Sequence, residues 1–282
     1  MLQTKDIALG NTLYAKYATI YFDPNIIHKA VILYFHGGGL LYGNRNDLPE
    51  FHLNTLVNSA YIIISFDYPL APAAKIDVIL DDICCSINYY YKHSKFLIGS
   101  TLPYFLWGRS AGSYLCLLAA SCGKLISAPR GIISYYGYGF LCDNWFNHPS
   151  NYYCQLPRVS EACLSKISSK IHSQGNLDTH YSTYVYARQT GNWLKLFFDD
   201  REKYFYLNYT LRSCTSLPCP LFCAHSTNDT DVPFTEFTEL SQLYSAEKYI
   251  TSGKIHDFDR DETAASTLRL LNSTIQFLDK LL

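Results

Sequence analysis

The 282-residue chain is 48% hydrophobic and 17% charged, the composition of a globular protein able to bury a sizeable core, which excludes a disordered one. Its formal net charge is −1 with lysines and arginines scattered, so no basic stripe points to nucleic acid and no polybasic segment to anionic lipid. The N-terminus lacks the basic-then-apolar pattern of a secretory signal and no run is long enough to span a bilayer, so the expectation is a cytoplasmic protein without stable membrane association. The ten cysteines show no paired C-x-x-C spacing and several lie inside apolar runs. They are expected to be mostly buried free thiols, with no metal site.

Residues 13–22 alternate like a strand, and Asp23-Pro24-Asn25 supplies a turn. The unbroken apolar run Ala30–Phe35 suits a strand buried on both faces of a parallel sheet. It ends in His36-Gly37-Gly38-Gly39, where glycines let backbone N–H groups face a site without side chains in the way. No Gly-Lys-Ser/Thr follows, which disfavours a phosphate loop. A helix is expected over 47–58, then a buried strand over 61–66 that stops at the proline-rigidified turn Asp67-Tyr68-Pro69-Leu70-Ala71-Pro72. The spacing of Ile76, Ile79, Leu80, Ile83 and Ile87 predicts a helix over 76–92.

The next strand, 104–107, runs into Gly108-Arg109-Ser110-Ala111-Gly112, and a helix follows to about 122. A serine between strand and helix at Gly-x-Ser-x-Gly is bent outward, and the helix N-terminus behind it presents N–H groups to developing negative charge. A further strand covers 131–136. The alternation of strand and helix to this point indicates a mostly parallel sheet covered on both faces. It then stops: from about 140 to 213 the chain is aromatic and polar, with helix-like pieces near 159–172 and 180–197. This segment is expected to be a helical cap inserted into a single α/β domain covering 1–282. The high tyrosine content, 25 residues, could line a pocket there or pack the cover.

A strand at 220–225 precedes Ser226-Thr227-Asn228-Asp229-Thr230-Asp231-Val232-Pro233; a helix over 234–245, a short strand over 247–251, the loop Gly253–Phe258 and a last helix from about 262 to 281 complete the chain. A serine hydroxyl needs an adjacent base whose tautomer a carboxylate holds. In an open parallel sheet, loops at the strand ends meet in space. Ser110, Asp229 and His256 each follow a strand, in the order Ser, Asp, His. Of the nine histidines, His256 is best placed as base; His36 and His225 suit structural hydrogen bonding. Asp231 shares the loop of Asp229 and is either an alternative acid or a cap for the following helix.

Together, His36-Gly37-Gly38-Gly39, Asp67–Pro72, Gly108–Gly112, Asn228–Pro233 and His256-Asp257-Phe258 make the chain resemble the α/β-hydrolase superfamily, and within it the hormone-sensitive-lipase-like esterases. The resemblance covers about residues 30–260. It implies an α/β-hydrolase fold with Ser110 as nucleophile, His256 as base, Asp229 as acid and the N–H groups of Gly38, Gly39 and Ala111 as oxyanion hole. It further implies cleavage of a small-molecule carboxylic ester without a cofactor. An amidase or formamidase-like hydrolase, an acyltransferase, and a non-catalytic ligand-binding protein on this fold are the alternatives. Two departures stand out. Family members often carry a longer N-terminal segment that helps build the cap, so here 140–213 would do most of the covering. Arg109 occupies a position where an acidic residue is frequent, which would alter the charge near Ser110.

Overall fold

The computed structural model describes residues 1–10 and 13–282. Among the described residues eight strands form one sheet: β1 (Gln3–Leu9), β2 (Lys16–Phe22), β3 (Ala30–Phe35), β4 (Tyr61–Phe66), β5 (Tyr104–Arg109), β6 (Ile132–Tyr135), β7 (Leu221–Ser226) and β8 (Glu247–Thr251). Their spatial order is β1-β2-β4-β3-β5-β6-β7-β8; β1 and β2 pair antiparallel, and every pair from β4 to β8 is parallel. The helices are α1 (Glu50–Asn58), α2 (Ile76–Ile98), α3 (Ala111–Ser121), α4 (Ser182–Thr190), α5 (Trp193–Phe197), α6 (Glu202–Asn208), α7 (Phe234–Leu243) and α8 (Ala265–Lys280).

The period-two alternation of the strands divides the core into two layers. From β3, Val31, Leu33 and Phe35 join the side chains of α2 and α3, including Ile79, Ile83 and Leu115, on one face. Ala30, Ile32 and Tyr34 meet Leu53, Leu56, Leu270 and Phe277 of α1 and α8 on the other. Both faces of the central strands are therefore sealed, which is why their sequences are continuously apolar.

The structure departs from the sequence expectations at four points. Strand β1 was not foreseen: it is an edge strand with mostly exposed residues, Gln3-Thr4-Lys5-Asp6 among them, and only its pairing with β2 makes it extended. The helix expected over 159–172 is a single short helical turn, Glu161–Lys166, because the polar Ser168-Ser169-Lys170 stretch has no apolar face to bury. The piece expected over 180–197 is split into α4 and α5 by Gly191, which takes a left-handed conformation at φ 68°. All ten cysteines are free thiols, but only Cys84, Cys116, Cys163 and Cys223 are buried; Cys85 and Cys154 are exposed.

The irregular segment after β6 is anchored at both ends. Buried Glu236 of α7 accepts hydrogen bonds from the N–H groups of Gly139 and Phe140, each at 3.0 Å, from Cys142 N–H at 2.6 Å and from the Trp145 indole at 3.2 Å. Arg212, at its far end, donates to the carbonyls of Phe140 and Leu141 at 2.8 and 2.7 Å. Between these ends, α4 to α6 lie over the strand ends on the side of Ser110, with Trp193 donating to the Gly39 carbonyl at 2.8 Å. Among the described residues no helix is long and apolar enough to cross a membrane.

Candidate active site

Strand β5 delivers Ser110 into a turn that only this sequence pattern permits. Ser110 has φ 51° and ψ −117°, a region L-residues rarely occupy, and it immediately precedes α3. A Cβ on Gly108 would lie 2.2 Å from the backbone of Gly112, and one on Gly112 would lie 2.0 Å from the Phe35 carbonyl oxygen. Both glycines are therefore required by contact. Ala111, the first residue of α3, keeps its N–H outside the helical ladder.

The loops after β7 and β8 bring two further side chains to this turn. His256 Nε2 is 2.9 Å from Ser110 Oγ, and His256 Nδ1 is 2.6 Å from Asp229 Oδ2. The other carboxylate oxygen of Asp229 accepts the N–H groups of Asp231 at 2.8 Å and Val232 at 3.0 Å, which fixes the carboxylate in the plane it needs. Burial works against the charge of Asp229, but the adjacent His256 and then His225 hold its carboxyl below the ordinary carboxylate range. Burial likewise opposes a charged His256, yet Asp229, with smaller help from Asp231 and Asp257, raises it to about 9. The ring of Tyr136 packs against the imidazole, centroid to centroid 4.7 Å.

The glycine turn lies opposite. Gly38 and Gly39 have φ 99° and 58°, and the Gly38 carbonyl accepts from Leu41 and Tyr42, tightening the loop. Both glycines share a cleft of about 1540 Å³ with Ser110, His256 and Asp231, lined also by Tyr42, Tyr153 and Tyr181. Some tyrosines thus line the cleft, while others, such as Tyr114 stacked on Tyr138, pack the core.

The remaining candidates have other surroundings. His36 stacks on Tyr68 at 4.3 Å beneath the glycine turn, and His225 Nε2 sits 3.0 Å from the Val232 carbonyl. Asp231 does not cap α7, whose N-terminus has no side-chain cap; its carboxylate instead accepts the Tyr184 hydroxyl at 2.7 and 2.9 Å. Arg109 does not present its charge to Ser110. Its side chain is 2% exposed and is paired with Asp259 at 2.9 Å on the α1 and α8 face, where Asp259 also meets His52 at 3.0 Å. Tyr136, Tyr184, Arg188 and Trp193 were not foreseen as site residues; they come from β6 and the irregular segment, where no spacing marks them. No group of three or more potential metal ligands occurs among the described residues.

A strained serine at a strand-to-helix bend is hydrogen-bonded to a histidine and through it to an aspartate at the carboxyl edge of a mostly parallel sheet, the arrangement for which the α/β-hydrolase fold is built. The BD-FAE family model matches residues 19–136, from β2 to the end of β6. An α/β-hydrolase superfamily protein from Enterococcus faecalis is 25% identical, with 99% of each chain covered and a TM-score of 0.83. A protein of unknown function from Staphylococcus aureus is 27% identical over 99% of each chain, with a TM-score of 0.79. An esterase from Pyrobaculum calidifontis shares the fold at 15% identity, TM-score 0.71, over 97% of this chain and 83% of the esterase. The chain has the α/β-hydrolase fold.

Proposed function

We propose that the protein is a serine hydrolase that cleaves small to medium carboxylic esters through an acyl-enzyme. The observation that carries this is the continuous hydrogen-bonded series from Ser110 Oγ through His256 to Asp229, at 2.9 and 2.6 Å, opening on a cleft beside two consecutive glycines. His256 takes the Ser110 proton as the hydroxyl attacks the ester carbonyl, and the oxyanion that forms is received by the N–H groups of Gly38, Gly39 and Ala111. The imidazolium returns its proton to the leaving alcohol. Water then repeats the cycle on the acyl-enzyme and releases the acid. Asp229 holds the proton on Nδ1, so that Nε2 faces Ser110 in the unprotonated form.

Structural neighbours named as esterases are consistent with this substrate class. The segment 140–213, with its tyrosines over the cleft, would serve as the cap that shapes the pocket for a soluble ester. The test is turnover of a short-chain p-nitrophenyl ester together with labelling by a fluorophosphonate. Wild type should do both, and Ser110→Ala, with the fold intact by circular dichroism, should do neither. Equal turnover by the two proteins would remove Ser110 from the mechanism. A folded wild type that neither turns over any ester of a chain-length series nor reacts with the probe would indicate a ligand-binding protein instead.

A further inference from the structure

Asp231 stands on the opposite side of the histidine from Asp229. Its Oδ2 is 4.0 Å from His256 Nε2, the nitrogen that faces Ser110, and its side chain is only 7% exposed. It cannot swing away. Tyr184 of α4 donates to both carboxylate oxygens, Arg188 of α4 lies 3.5 Å from Oδ1, and Arg188 Nη2 donates to the Asp231 carbonyl at 3.0 Å. Arg188 is itself buried, its guanidinium 4.7 Å over the Trp145 ring. The Tyr184 ring also abuts Gly39, where an added Cβ would lie 2.2 Å away. One helix turn of the cap therefore touches the glycine turn and the acid loop at once.

We propose that Asp231, clamped by Tyr184 and Arg188, is a positioning residue that favours the charged imidazole of His256 from the side on which the proton is carried. This rests on the ester-hydrolase reading and goes beyond it, because Asp229 already accounts for the tautomer. When Ser110 attacks, the proton moves onto Nε2, and a carboxylate 4.0 Å away stabilises the imidazolium and the transition state leading to it. The same field makes the resting histidine easier to protonate, so the enzyme loses its base at a higher pH. The groups that face the imidazole are Asp229 and Asp231 from the loop after β7, Asp257 from its own loop, the Ser110 hydroxyl and the Tyr136 ring. His225, 3.3 Å from Asp229 on the far side from the imidazole's Nε2, is held toward its neutral form mainly by burial.

The experiment is the pH profile of kcat/KM for a p-nitrophenyl ester in the full-length protein. Asp231→Asn should move the acid limb down by about one pH unit, the low end for a carboxylate at this distance because Arg188 shares its charge. It should lower the high-pH plateau severalfold, so that the two profiles converge or cross on the acid limb, below the wild-type midpoint. Arg188→Gln unscreens Asp231 and should move the limb upward, which decides the matter if the Asn variant does not fold. A limb that stays in place in both variants, or a loss uniform with pH, would mean that Asp231 only braces the loop and would overturn the proposal. Loss of turnover in Ser110→Ala tests the underlying hydrolase reading separately.

Discussion

Replacing Arg109 by methionine tests whether the residue between Gly108 and Ser110 acts on the nucleophile or on the fold. Its guanidinium is buried and donates to Asp259 at 2.9 Å, while Tyr136 donates to the same carboxylate oxygen at 2.8 Å and His52 meets the other oxygen at 3.0 Å. Methionine fills comparable volume but strands a carboxylate that is 0% exposed. Removing one partner of a buried ion pair costs about 3–5 kcal/mol. At roughly 2–4 °C per kcal/mol for a chain approaching this size, the midpoint of thermal unfolding should fall by about 10 °C. Arg109→Met/Asp259→Asn should be more stable than Arg109→Met alone, since the uncompensated charge is gone; coupling of about 1–3 kcal/mol is expected. The pH dependence carries its own sign. Burial disfavours the Asp259 charge, but Arg109 and then His52 hold the carboxyl well below its ordinary value. The folded value lies below the unfolded one, so this stability is present above the ordinary carboxylate range and is lost as pH falls through the folded value. Arg109→Met should lose that contribution, flattening the acid arm of the stability curve. Differential scanning calorimetry at neutral pH measures the coupling, and continuing the series below the ordinary carboxylate range measures the acid arm. Strictly additive losses in the double variant would refute the coupling to Asp259, and an unchanged melting temperature joined to a collapse in kcat would place the effect of Arg109 on the nucleophile instead.

Two further predictions concern the site. Gly39→Ala places a methyl group 2.2 Å from the Tyr184 ring at φ 58°, so kcat should fall about 100-fold, about 3 kcal/mol of oxyanion stabilisation, with KM little changed; steady-state kinetics with an unaltered kcat would remove Gly39 from the oxyanion site. In the wild type, kcat/KM should climb with pH through a limb displaced above the ordinary histidine value toward about 9, because protonated His256 cannot accept the Ser110 proton. Asp229→Asn should lower that limb and cut kcat by about 10⁴-fold, the scale of loss when a triad carboxylate becomes an amide; a limb unmoved by this change would assign it to another group.

The parts of this molecule legible in the sequence are those governed by short-range rules. Continuous apolar runs located β3, β4 and β5 because both sheet faces are sealed, and the Gly108 requirement is a contact with Gly112, four residues on. Ser110, Asp229 and His256 could be brought together on paper because parallel strands present their following loops at one edge. Even the side chain of Arg109 was readable in principle: Phe105 and Trp107 point to the α1 and α8 layer, and strand alternation carries Arg109 to the same side, where it pairs with Asp259.

What escaped has the opposite character. Strand β1 is polar and extended only because β2 offers it an edge. Between β6 and β7, burial is achieved by aromatic side chains meeting across irregular turns, as where Trp145 stacks on Trp193 at 5.9 Å, so no period marks the helices. The pairing of Tyr184 with Asp231 joins residues 47 apart through a fold contact that neither residue's neighbours announce. Asp231 looked like a helix cap because it lies just ahead of Pro233, yet α7 begins without a side-chain cap and the carboxylate turns toward the cap helix. The geometry of Ser110, His256 and Asp229 is set by the sheet, whereas the second carboxylate beside His256 is held by the segment between β6 and β7. A different segment on the same sheet would keep the relay from Ser110 to Asp229 and lose the partners that hold Asp231, so the proposed effect of Asp231 on the acid limb depends on that segment and should vanish with it.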